Sequence, residues 1–189
     1  MSQNTWFETL ITAQVDGPTL ATFTTAATIL PGAAIYTFPN NYFTIGKRLH
    51  VKASGRISTF TSGTFTVTFT LGTLATPIIV APGTAGSAMN MLASQTNTAW
   101  QLDLDMTVRA IGSGTSSNIF GIGVFTSNAL AGSTAGAQAT SYVLPTAAPA
   151  VGAGFDSTLT QTANLFMACS VSNAANGITL HQYALEAAN

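Results

Sequence analysis

Residues 64–72, TFTVTFTLG, alternate hydroxyl and apolar side chains without a slip. A strand sends successive side chains to opposite faces, whereas a helix repeats every ~3.6 residues, so this alternation admits a strand and little else. Phe65, Val67, Phe69 and Leu71 form a face that needs a core, and Thr64, Thr66, Thr68 and Thr70 form a face expected to point outward. The same period recurs in Trp100–Val108, with Trp100, Leu102, Leu104, Met106 and Val108 inward and Gln101, Asp103, Asp105 and Thr107 outward. It recurs again in Leu49–Thr59, where Gly55 suggests a bulge or a close approach.

Further strands are expected at Leu20–Thr25, Pro77–Val80, Ile119–Phe125, Ser141–Leu144, Leu165–Val171 and Ile178–Leu185, separated by stretches rich in Gly, Ala, Ser and Pro. The turn TSG at 61–63 is expected to join 49–59 and 64–72 as a hairpin, and Asn176-Gly177 marks a second turn. The segment 5–15, TWFETLITAQV, is a weak helix candidate and reads better as an extended arm. About eight antiparallel strands without helices imply two packed sheets. The fold class is therefore all-β: an antiparallel two-sheet β-sandwich, jelly-roll-like, with an extended N-terminal arm at 1–18 and the sandwich at 19–189. The connections at 81–98 and 128–162 are long and rich in Gly, Ala and Pro; residues 145–155, PTAAPAVGAGF, are apolar and small, so that stretch is expected to pack on something.

Charge is scarce. Only 6% of residues are ionisable as Asp, Glu, Lys or Arg, against roughly 25% in an ordinary soluble domain. The net charge of −1 removes the basic surface that nucleic acid requires. No stretch approaches the roughly 18 apolar residues of a membrane span, and the opening MSQNTWFETL lacks the character of a secretory signal. The single cysteine, Cys169, excludes an internal disulfide and reads as a buried, inert thiol in LFMACSV.

Reactive groups are equally few. His-Glu-X-X-His, Gly-X-Ser-X-Gly, a phosphate-binding loop and paired cysteines are all absent. Asp103 and Asp105 share a strand face, roughly 6.5–7 Å apart by strand rise. They could hold a calcium ion or act as acid and base, but the expected arrangement is on the outer face, either solvated or paired across strands with Lys52 or Arg56. His50 reads as a surface or interface histidine, His181 as a hydrogen-bonded sheet histidine, and Arg109 as a member of a surface ion pair. Lys47 and Arg48 form the densest positive spot, suited either to a solvated turn or to an ion pair across a subunit boundary. Trp6 and Phe7 either cap their own sandwich or anchor the arm on a neighbour. Trp6, Phe7, Lys47 and Arg48 are the candidate interface residues; no cofactor, metal or catalytic residue is expected.

Four segments together carry a resemblance: FPNNYFTIGKRLHVKASGRIS (38–58), VRAIGSGTSSN (108–118), PAVGAGFDSTLTQ (149–161) and SVSNAANGITLHQYALEAAN (170–189). In this order they resemble small virion structural proteins of tailed bacteriophages and prophages, of the capsid decoration or minor tail type. The resemblance implies a non-enzymatic virion protein and transfers no functional residue. With the low charge, it leads to the expectation of a decoration protein on the outer head. Such a protein would be made in the host cytoplasm, would bind the major capsid protein as a homo-oligomer, a trimer being favoured, and would contact neither nucleic acid nor membrane. A tail component or fibre head contacting the host through Tyr36 or Tyr142 is the alternative, and a carbohydrate-binding jelly roll comes third. Low charge also favours association of the free chain, so part of the threonine face is expected to be covered in an assembly.

Overall fold

The computed structural model describes residues 6–84, 86–132 and 140–188. Its strands are β1 (Phe7–Thr12), β2 (Leu20–Ala21), β3 (Ala27–Thr28), β4 (Tyr36–Phe38), β5 (Arg48–Thr59), β6 (Gly63–Gly72), β7 (Pro77–Ala81), β8 (Ser87–Met91), β9 (Gln95–Ala110), β10 (Asn118–Ser127), β11 (Ser141–Leu144), β12 (Gln161–Cys169) and β13 (Gly177–Ala188), with one short 3-10 turn at Gly32–Ala34. Among the described residues no helix is long and apolar enough to cross a membrane.

The strands form a two-sheet antiparallel β-sandwich. The larger, seven-stranded sheet runs β1-β13-β5-β9-β10-β11, with β2 also pairing β13. The smaller, six-stranded sheet runs β3-β12-β6-β7, with β4 on β12 and β8 on β6. Apolar residues of both inner faces meet in one core, in which Trp100 stacks on Phe125 with ring centroids 5.5 Å apart. The indole N–H of Trp100 donates to the Arg56 carbonyl at 3.2 Å, so this large ring is buried with its one polar atom satisfied. Cys169 is buried, as its apolar neighbours suggest.

Two expectations fail. The segment 61–63 does not close a hairpin: β5 lies between β13 and β9, and β6 lies between β12 and β7/β8, so the turn carries the chain from one sheet to the other. A link of this length suits a hairpin or a crossing equally, and alternation marks a strand without naming its neighbour. The crossing is held by Asn176, whose side-chain carbonyl accepts from the Phe60 N–H at 2.7 Å. The threonine face of β6 is also only partly outward. Thr64 and Thr66 are half-exposed, but Thr68 and Thr70 are 6% and 2% exposed. The chain itself lies on this face: a side chain at Gly86 would place its Cβ 2.3 Å from the Thr68 methyl.

The expected connections carry structure of their own. Residues 81–98 hold β8 and the start of β9, and residues 7–12 of the arm run as the edge strand β1. Within 128–162, residues 133–139 lie outside the described ones, while 151–155 form a strap between the sheets. Gly152 N–H donates to the Ile119 carbonyl of β10, and Ala153 N–H to the Ile79 carbonyl of β7, both at 2.9 Å. Gly152 is required there, because a Cβ would sit 2.1 Å from the Val80 carbonyl oxygen.

Candidate functional site

Ionised side chains are confined almost wholly to one sheet. Glu8, Arg48, Lys52, Arg56, Asp103, Asp105, Arg109 and Glu186 all lie in strands of the larger sheet, and the strands of the smaller sheet hold none. The reason is positional. β5, β9 and β13 alternate between core and solvent, and their outward positions take the charge.

The outer face of the larger sheet is ordered in cross-strand rows. One row places Glu186, His50 and Asp105 opposite one another on β13, β5 and β9. His50 Nε2 lies 2.7 Å from Asp103 and its Nδ1 3.4 Å from Glu186, while Arg48 donates to Asp105 at 3.0 Å. The aspartates are thus outward and paired across strands as expected, but with His50 and Arg48 rather than Lys52 or Arg56. The direct neighbour in register is not the side chain that reaches: Lys52 faces Asp103, yet His50 takes the carboxylate from one row along. Ligand atoms of His50, Asp103 and Asp105 lie within 4.8 Å of one another, so these three could hold a cation. In the chain as folded each already has a partner, and the imidazole can donate to both of its carboxylates only as imidazolium. The Arg48–Asp105 pair is half-exposed, so its contribution to stability is at most about 1 kcal/mol.

Arg109 does not form the expected ion pair. Its guanidinium lies 3.8 Å from the centroid of the Phe120 ring, on the neighbouring strand β10. His181 is hydrogen-bonded as expected, to Asp16 at 2.9 Å.

The four candidate interface residues come together at one end of the sandwich. Phe7 and Arg48 flank Ala188 in the same cross-sheet row, with Trp6 and Lys47 beside them in sequence. Lys47 Nζ lies 3.9 Å from the centroid of the Tyr42 ring. Burial there lowers the Lys47 pKa, against a smaller opposing effect of Glu8, and burial pushes the Tyr42 hydroxyl up to about 12. Trp6, Phe7, Ile45, Ile111 and Leu159 are all exposed. The loops that carry them are tied together by Gly46 N–H to the Val108 carbonyl and Ser157 N–H to the Gly112 carbonyl. Nothing in the sequence marks Ile45, Ile111 and Leu159, since a lone apolar residue in a loop carries no signal until the loops are brought side by side.

The middle of the same outer face forms an open groove of about 800 Å³, with Thr12 and Ala13 on one side and Val124 and Thr126 on the other. No sequence motif points to it, because it is assembled from β1, β13, β5, β9 and β10.

No family model matches the chain, and no curated protein matches it. Among solved structures it is similar to the CBM2 module of the evolved Dit of Lactobacillus casei BL23 phage J-1, at 10% identity and a TM-score of 0.31, over 80% of this chain and 67% of that one. At that distance the likeness carries no statement about what this chain binds. The fold and its surface define a two-sheet β-sandwich with one charged, grooved face, one sheet whose strands carry no charge, and one end where exposed apolar side chains gather beside Lys47 and Arg48.

Proposed function

We propose that the chain is a non-catalytic structural protein of a tailed-phage particle. In its most specific form this is a decoration protein of the outer head, which docks as an oligomer, a trimer being expected, where capsomers of the major capsid protein meet. The observation that carries the reading is the division of charge between the sheets. Interface cores are depleted of charged residues, whereas a surface left in water is not. A protein that docks through its smaller sheet and shows its larger sheet to solvent needs this distribution. The four-segment resemblance to virion proteins supports the same assignment independently. Each contact need only be modest, because many copies act on one shell.

A tail component that contacts the host is the second reading, favoured by the open groove on the solvent side. Tyr142, raised from sequence as a possible host contact, gives its hydroxyl to the Ala131 carbonyl and packs against the core, so it is not a free ring at a tip. Co-sedimentation with expanded heads, and separately with tails, of particles lacking the protein decides between them. Saturable uptake by heads supports decoration, and uptake by tails alone supports the second reading. Uptake by neither removes both.

A further inference from the structure

One cross-strand row of the groove differs from its neighbours. Gln182 on β13 faces Ser54 on β5, Ser54 faces Gln101 on β9, and Gln101 faces Thr126 on β10. Four uncharged hydrogen-bonding side chains therefore run side by side across the sheet, spanning about 14 Å at the usual strand spacing. Within the row Ser54 Oγ donates to Gln182 Oε1 at 3.0 Å, which leaves both N–H groups of the Gln182 amide free to donate. Gln101 and Thr126, both exposed, have no side-chain partner among the described residues. The next row brings Lys52 and Asp103, one charge of each sign, so the groove is neutral in sum.

We infer that this row binds a neutral oligosaccharide. Primary amides and hydroxyls offer donors and acceptors together, which is what a run of sugar hydroxyls needs and what an anion or an apolar side chain does not. The regular spacing suits a ligand whose own polar groups repeat along its length. Val124 and Ala184 supply the small apolar contacts that C–H groups of a sugar ring can use. A peptide strand is poorly served, because β13, β5, β9 and β10 are each paired on both sides and offer no open edge for strand addition. Without an aromatic platform the affinity per copy is weak, and display of many copies on a particle would raise it. The inference stands on the groove and does not depend on where the chain sits on a particle.

The test is binding of the full chain to an array of neutral hexose and N-acetylhexosamine oligomers, with uronic-acid and sialylated glycans and extended peptides alongside. Affinities would be followed by titration of the best neutral oligomer. Binding to neutral oligomers is expected, and Gln101→Ala or Gln182→Ala should weaken it about tenfold each, the loss of one or two well-made hydrogen bonds. Both side chains are exposed, so the melting temperature should stay unchanged. Uptake by phage particles should also stay unchanged, which separates this site from the docking surface. Absence of neutral-glycan binding, binding only to acidic glycans or peptides, or binding indifferent to both substitutions would overturn the inference.

Discussion

The larger sheet puts lysine, arginine, aspartate, glutamate and histidine on its outer positions, beside Ile122 and Val124 of β10; the smaller sheet carries threonine, alanine, asparagine and Phe166 there and no charge. Both sheets are antiparallel, and both bury the same kind of apolar face. The difference lies in what covers the far side. On β6 the segment at Gly86 lies over Thr68, and Thr70 is buried as well, so a threonine face is not by itself a solvent face. Threonine suits this because its methyl packs like valine while its hydroxyl tolerates water. An ionised side chain has no such latitude, since burying it unpaired costs several kcal/mol. Charge therefore marks the surface committed to water, and hydroxyls mark a surface that can go either way.

The severest way to break the contrast is to detach the two sheets. Gly152 lies in the strap that hydrogen-bonds to both, with the Val80 carbonyl where a Cβ would go. Gly152→Ala should cost about 3 kcal/mol, an overpacking penalty against backbone that cannot yield. Chemical denaturation would measure it; a loss too small to resolve would mean the strap does not join the layers.

The contrast is sharpened by moving charge onto the bare side. Ala88, on β8, is exposed and faces Thr66 across the smaller sheet. Ala88→Lys should leave folding intact and weaken uptake by particles about a hundredfold, the effect of an unpaired charge at an interface. The matching substitution on the other sheet, Gln101→Lys, should change uptake by no more than about twofold, as expected of a surface residue outside a contact. Equal losses from both, or from neither, would remove the docking assignment.

The buried part of the threonine face makes a prediction of the opposite sign. Thr70 Oγ1 and Asn164 Nδ2 face each other across β6 and β12, and neither has a hydrogen-bond partner among the described residues. Thr70→Val keeps the shape and removes one unpartnered polar atom, so it should raise stability by about 1 kcal/mol. A destabilisation of similar size, read in the same denaturation assay, would mean that the hydroxyl is satisfied in solution.

What could be read from the residues follows from these distinctions. The strands β5, β9, β10 and β13 announce themselves because each runs for many periods with one wet face. β2, β3 and β4 are two or three residues long and contain no full period to detect. The sheet to which a strand belongs is a long-range fact, and the segment after Thr59 shows that a short turn does not supply it. The candidate residues Trp6, Phe7, Lys47 and Arg48 were visible as unusual types in unusual places. The groove was not, since Gln182, Ser54, Gln101 and Thr126 are ordinary residues until register aligns them.

The smallest expected effect concerns a charge that belongs to neither sheet. Asp156, half-exposed among the loops beside Ile111 and Leu159, accepts hydrogen bonds from Thr158 Oγ1 at 2.6 Å, from Gly114 N–H at 2.7 Å and from Thr158 N–H at 2.9 Å. These donors, the Thr158 hydroxyl foremost, hold its pKa below the ordinary 3.8. A carboxylate with a lowered folded-state pKa contributes stability that is present above the unfolded-state value and is lost as pH falls through the lowered one. Thermal melts of the native chain should therefore decline more steeply below pH 3.8 than those of Asp156→Asn, whose side chain does not titrate. At neutral pH the variant should melt slightly lower, because the amide replaces a charge-assisted acceptor with a neutral one. Parallel acid limbs in the two proteins would show that the loops at this end are not held by the carboxylate, and that the clustering of Ile111 and Leu159 beside it depends on other contacts.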